Sequence, residues 1–408
     1  MIKKSSLVVL VICLFLALLS PGLAQAGSGL TVLTSSAEMD FPSNLTFNLS
    51  AESDVDIADI RLNYTVDRME HARITSEIYI EFVPATSVSA QWVWDMRRTG
   101  GLPPGSSLTY WWTVTDTGGS RVKTEPARIS IEDNRYEWRS LTRGKVTLYW
   151  YKGDDSFAGE LMEAAQGALT RLADDTGAGL EKPVKIYIYA DSRDLLGSMI
   201  FPQEWTGGVA FTRYGIIAIG IAPNDLDWGR RAIAHELTHL VIHQVTFNPY
   251  GGLPIWLDEG LAMNSEGEPS SWYVNILHKA AGEDSLVSVQ SLSSPFSAYA
   301  EEASLAYAQS HSLVEFLIDN YGQGQMFELL STFRQGSGYD EALNMVYDFD
   351  MDGLDALWRD YFAADALPVK PEERGMPPIL IGILAGLATG IFLWLSLLIE
   401  SWAWRRGW

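Results

Sequence analysis

At 408 residues the chain is too long for one ordinary domain, and 47% hydrophobic residues are ample for more than one folded core. A formal net charge of −22 excludes a surface that holds nucleic acid or anionic lipid headgroups, and reads as solubility in an exterior environment ahead of selection for cationic substrates. A single cysteine excludes a disulfide framework.

Lys3 and Lys4 precede an apolar run from Leu7 to Leu19, and Ala24-Gln25-Ala26 follows it. That order predicts a secretory signal peptide over 1–26, with the mature chain starting at Gly27. Cys13 falls inside the run, so the mature protein carries no cysteine.

Residues 27–138 alternate and turn as an antiparallel sheet does. The segments Leu45-Thr46-Phe47-Asn48-Leu49, Ile60-Arg61-Leu62-Asn63-Tyr64, Glu77 to Phe82, Trp92-Val93-Trp94, Leu108 to Val114 and Ala127 to Ile131 read as strands. Six or seven of them in about a hundred residues predict an immunoglobulin- or fibronectin-like β-sandwich. Leu102-Pro103-Pro104-Gly105 and Asp116-Thr117-Gly118-Gly119 supply turns. The tryptophans read as core and cross-strand packing ahead of a carbohydrate platform.

A boundary falls near residue 138. Beyond it, Val146 to Tyr151 reads as a strand, Ser156 to Asp174 as an amphipathic helix, and Val184 to Tyr189 as a second strand. Gly207 to Phe211 and Gly215 to Ile221 complete a small sheet. Strand, helix, strand marks an α/β start.

His235-Glu236-Leu237-Thr238-His239 follows, on a helix with the apolar lane Ile233, Leu237, Leu240 and Val241. Two histidines four apart share one helix face, the placement that lets two neutral imidazoles close on one Zn²⁺. Glu236 stands beside that face, where a general base takes a proton from water. His243 continues the ladder, but eight residues of helix rise about 12 Å, too far to share the ion. Glu259 lies twenty residues beyond His239, in a segment that Pro254 can open as a helix, and a returning helix brings its carboxylate back.

These residues, with Trp256-Leu257-Asp258-Glu259-Gly260-Leu261-Ala262, resemble the gluzincin branch of the zinc metallopeptidases, in particular the peptidase MA-like domains of bacterial surfaces. The gap from His239 to Glu259 matches the thermolysin spacing. A metzincin would want Gly at 242 and His at 245, where the chain has Ile242 and Val245. The resemblance implies an α+β gluzincin domain over 139–366, with Zn²⁺ on His235, His239 and Glu259, Glu236 as general base, and extended substrate along the sheet's edge. Ala306-Tyr307-Ala308-Gln309-Ser310 resembles a segment that recurs in the same group. Tyr307 is thus a candidate donor to the developing oxyanion, set against a packed helix tyrosine. His311 either shares that face or is an ordinary helix histidine. Thermolysin-like enzymes place an Asp four residues after the glutamate ligand to orient a histidine; here Met263 occupies that position, which leaves the orienting group open, with Asp258 a candidate.

The half after Glu259 reads as helical: Trp272 to Ala281, Leu305 to Tyr321, Gln325 to Phe333 and Tyr339 to Tyr361, with a Ser-rich loop over 282–297. Asp348 to Gly353 imitates the start of a calcium loop, but position twelve is Arg359, and a helix-flanking acidic turn is the better reading. Residues 367–378 form a Pro-rich stalk. Ile379 to Ile399 is uncharged and long enough for one membrane crossing, with Arg405 and Arg406 on the cytoplasmic side of a short tail, 400–408.

The expectation is a membrane-anchored, extracytoplasmic zinc metallopeptidase acting on peptide or protein substrates, with its ectodomain outside and its C-terminus cytoplasmic. The competing expectation is a cell-surface binding or adhesion protein whose peptidase-like domain is a non-catalytic scaffold.

Overall fold

The computed structural model describes residues 29–202, 207–297 and 299–364. The predicted signal peptide, stalk, membrane helix and tail lie outside the described residues. Among the described residues no helix is long and apolar enough to cross a membrane.

The first domain is all antiparallel: β1 Thr31–Asp40, β2 Asn44–Val66, β3 Ser76–Tyr79, β4 Ala85–Asp95, β5 Ser107–Asp116, β6 Arg121–Lys123 and β7 Ala127–Ser130. Strand β2 is its spine. The first half pairs with β1 and β4, and past a register break between Glu52 and Ile57 the second half pairs with β3 and β5. Alternation along β2 turns Leu45, Phe47, Leu49 and Ala51, then Ile60 and Leu62, into one core with Trp112. Trp92 stacks on Phe47 at 5.8 Å and Trp94 lies 4.9 Å from Tyr64, the cross-strand packing expected of them.

The second domain opens with β8 Arg139–Arg143, β9 Val146–Trp150, α1 Asp155–Thr176, β10 Val184–Tyr189, α2 Ser192–Leu196, β11 Gly208–Phe211 and β12 Ile216–Gly220. Five strands lie in the order β11-β12-β10-β9-β8, with β9, β10 and β12 parallel and both edges antiparallel. Asp154 caps α1 by accepting from the Phe157 N–H at 2.9 Å, and Gly177 ends it in the left-handed region. One face of the sheet packs under α1 and the helix that carries His235 and His239; the other carries Tyr149, Tyr151, Tyr187 and Tyr189 with Tyr136 and Trp138 of the linker. The two domains lock together here. Buried Asp133 accepts from the Tyr189 hydroxyl at 2.9 Å and pairs with Arg135, and Lys185 donates to the Gly105 carbonyl at 2.6 Å. A Cβ at Gly105, already at φ +77°, would meet the Tyr187 hydroxyl at 2.2 Å.

The helical half comprises α3 Leu226–Thr246, α4 Ile255–Ser265, α5 Ser271–Gly282, α6 Val289–Leu292, α7 Ala300–Arg334, α8 Tyr339–Tyr347 and α9 Met351–Ala364. The separate helices expected over 305–321 and 325–333 lie end to end within α7, divided at Gly322, whose φ of 83° is not helical. The span read as helical over 339–361 holds two helices, divided where Asp348 turns left-handed at φ 62°. The Asp348–Gly353 segment is an acidic turn, in which Asp350 accepts from the Gly353 N–H at 2.8 Å at the start of α9.

Candidate metal centre

Helices α3 and α4 meet through hydroxyls rather than through apolar contacts alone. The Ser265 hydroxyl donates to the Ala234 carbonyl at 3.0 Å, and the Thr238 hydroxyl donates to Ser265 Oγ at 2.7 Å. Trp256, Leu257 and Leu261 are buried in the core beneath, and α7 presses on the far side of α4. A Cβ at Gly260 would stand 2.3 Å from the Ser310 carbonyl, so the residue after the glutamate has to be Gly for α4 and α7 to approach this closely. Thus Glu259 is driven back to α3.

His235, His239 and Glu259 converge, with one ligand atom of each within 4.8 Å of the others. His235 Nε2 lies 3.2 Å from His239 Nε2 and 3.4 Å from Glu259 Oε2, and His239 Nε2 lies 3.7 Å from the same oxygen. Bonds of about 2.0–2.1 Å to one tetrahedral ion set ligand atoms about 3.4 Å apart, so the triangle has the size zinc requires. Glu259 Oε2 is buried with no hydrogen-bond partner, and an orphaned carboxylate oxygen facing two ring nitrogens is a site for a cation. The donor set fits Zn²⁺.

Each imidazole is held from behind. His235 Nδ1 faces Glu266 Oε1 at 2.8 Å, and His239 Nδ1 faces Asp258 Oδ1 at 3.2 Å. With a proton on each Nδ1, both Nε2 lone pairs would be free for an ion. Asp258 thus sits where an orienting group was wanted, and Glu266, unnoticed in the sequence, performs the other half of that task. Glu266 lies seven residues past Glu259, two turns along one face, and that spacing was the available signal. Burial works against a charged His235, but Glu259 and Glu266 outweigh it and hold its pKa well above the usual range. The same contest, with Asp258 and Glu259 as opponents, raises His239 to about 9. Such a cluster of carboxylates calls for positive charge at its centre.

Glu236 lies against the sheet's edge. Its Oε1 would be 3.1 Å from a Cβ on Gly208 of β11, and the Ala210 backbone N–H also holds the carboxylate. Burial raises its pKa, which makes the carboxylate a better proton acceptor. Tyr307 is fully buried on α7 with no partner for its hydroxyl, and Glu259 and Glu236 both add to the burial that drives its pKa up. The buried hydroxyl therefore feels the charge of the cluster. His311 does not: it lines a separate cavity of about 160 Å³ with Tyr273, His278 and Glu315, and burial alone lowers its pKa to about 4. The sequence also missed Tyr273, whose buried, unpartnered hydroxyl senses Glu266 and Glu259. His243, one turn past His239, is largely buried, with Nε2 unpartnered.

A bent pair of helices that presents two imidazoles and a carboxylate beside an edge strand defines a metallopeptidase-like fold. Residues 164–364 match the family model of the Peptidase MA superfamily. Solved structures similar to the chain include the M1 zinc metallopeptidase of Deinococcus radiodurans, at 13% identity, covering 83% of this chain and 94% of that one with a TM-score of 0.34. An aminopeptidase N family protein of Idiomarina loihiensis is 10% identical, covers 82% of this chain and 75% of its own, and scores 0.37. A carbohydrate-binding module of family 56, a β-1,3-glucan binding domain, is 15% identical over 24% of this chain and 98% of its own, with a TM-score of 0.16. No curated protein matches the sequence.

Proposed function

We propose that the chain is a membrane-anchored, extracytoplasmic zinc metallopeptidase that hydrolyses peptide bonds. The observation that carries this is the convergence of His235, His239 and Glu259 within 4.8 Å, with Glu236 held beside them on the sheet's edge. His235, His239 and Glu259 would hold Zn²⁺, which when bound polarises the scissile carbonyl and makes water more acidic.

The chain's own residues do the rest. Glu236 takes the proton of the attacking water on its carboxylate and gives it to the leaving amine. Glu266 and Asp258 fix the imidazole tautomers. Tyr307 donates its hydroxyl to the oxygen on which negative charge develops. The outer edge of β11 offers backbone groups to an extended peptide, which adds to the sheet as a further strand. The acidic composition suits the exterior, and the apolar span at 379–399 would anchor the chain there.

Zinc content and turnover of a broad peptide library by the purified ectodomain test the proposal, with wild type set against Glu236→Gln. A zinc-loaded wild type that turns over peptides while the variant does not supports it. Equal turnover by both removes Glu236 as the base. No turnover by either supports a binding protein on a retained peptidase scaffold.

A further inference from the structure

The first domain reaches across to the second. Between β2 and β3 the chain makes a nine-residue loop, 67–75. Its base is fastened within its own domain: the Asp67 N–H donates to the Ser107 carbonyl at 2.8 Å, Arg128 pairs with Asp67 at 2.5 Å, and the Thr65 and Thr75 hydroxyls meet at 3.2 Å across the neck. The tip leaves that domain entirely. The Met69 N–H donates to the Arg213 carbonyl at 2.6 Å, and Glu70 pairs with Arg68 and lies 3.7 Å from Arg213. The His71 ring lies flat on Phe247 at 4.1 Å, with 4° between the planes.

Arg213 and Phe247 stand at the far ends of the edge strand and of α3. Arg213 belongs to the single turn Thr212–Tyr214 that continues the edge strand, and that turn packs against α3. Phe247 ends α3 and lies 5.5 Å from His243, itself one turn past His239. Strand and helix therefore run the same way, with Gly208 and Ala210 at Glu236 and Arg213 further along, and the loop bridges their far ends. From His239 to Phe247 the helix rises about 12 Å, whereas an extended peptide advances about 3.3 Å per residue.

We propose that loop 67–75 is the end wall of the substrate cleft, limiting an extended substrate to about three or four residues on that side of the scissile bond. This rests on the peptidase reading above. It makes the first domain part of the specificity apparatus, with Met69, Glu70 and His71 supplied to a site whose chemistry lies in the second. A peptide lying along β11 would run into the plane of His71 and Phe247 after those few residues.

The test uses the zinc-loaded ectodomain and two nested peptide series sharing one scissile bond, one lengthened on the amino side and one on the carboxyl side. In wild type, kcat/KM is expected to fall beyond about four residues in one series and not in the other. His71→Ala, and independently Arg213→Ala, should raise the ratio of long to short peptide turnover in that series by about tenfold. Two single substitutions at separate contacts guard against one that misfolds. A flat profile in both series, or a ratio unchanged in both variants, overturns the proposal. Calorimetric binding of the same peptides to Glu236→Gln reads the length limit without hydrolysis. A limit seen there but without wild-type turnover keeps the wall and discards the peptidase; the reverse discards the wall alone. No peptide binding discards the wall.

Discussion

His235 and Glu266 face one another across 2.8 Å, Nδ1 to Oε1, with the Glu266 side chain almost completely buried. Arg231 lies 3.8 Å from the other carboxylate oxygen, so the acid is fixed in its turn. A carboxylate behind a ligating imidazole orients the ring and raises its basicity, and removing such a group costs about 10–100-fold in metal affinity. Glu266→Gln keeps the shape and loses the charge. Its zinc affinity, measured by chelator competition, should fall within that range while the fold stays intact by circular dichroism. An unchanged affinity would make Glu266 a bystander.

Gly260→Ala tests how Glu259 is delivered. The added methyl would stand 2.3 Å from the Ser310 carbonyl and 2.6 Å from Val314, and the first of these is backbone that cannot step aside. Overpacking of this kind costs about 3 kcal/mol. Urea unfolding should show that loss with the slope unchanged, together with weaker zinc binding, because α4 can relieve the clash only by moving Glu259 away from α3. A neutral effect on both would mean that α4 and α7 are free to separate.

The candidate site residues were legible because they sit on regular helices. The spacing from His235 to His239 puts two side chains on one face, and the Glu259 distance fits a helix that turns back; neither depends on distant sequence. What lay out of sight was tertiary. Glu266 is an ordinary acid at a helix end until α3 supplies an imidazole for it. The separation of His311 from Tyr307, four residues apart on α7, depends on which neighbour each side chain meets. Strand β1 escaped notice because most of its side chains are exposed and leave no apolar alternation to read. The break expected between residues 321 and 325 is there, because Gly322 leaves helical φ/ψ and divides α7. The contact of His71 with Phe247 joins residues from different domains, and no local pattern announces it.

Tyr307→Phe separates a reacting phenol from a packed one. Its hydroxyl is buried without a partner, so deleting it should leave thermal stability unchanged or slightly raised. A donor to the developing oxyanion is worth about 10²–10³ in kcat, with KM little affected. Stability preserved and kcat lost in that range is the expected pair of results. A variant with wild-type kcat would return Tyr307 to the core.

His311 sets how the fold responds to acid. Burial lowers its pKa from 6.5 to about 4, and Glu315, with Oε2 4.0 Å from Nδ1, is the acid beside it on α7. Because the folded value is depressed, the unfolded chain binds the extra proton first. The neutral ring costs nothing above the unfolded pKa, so stability from this residue is intact at pH 7. It is lost as pH falls from about 6.5 to about 4, and the full loss is about 3 kcal/mol. Below that window both states are protonated and the effect levels off. His311→Gln, which cannot take up the proton, should flatten this part of the stability curve in urea titrations between pH 7 and 4. A variant whose curve falls as steeply as wild type over that window would place the acid sensitivity in other groups.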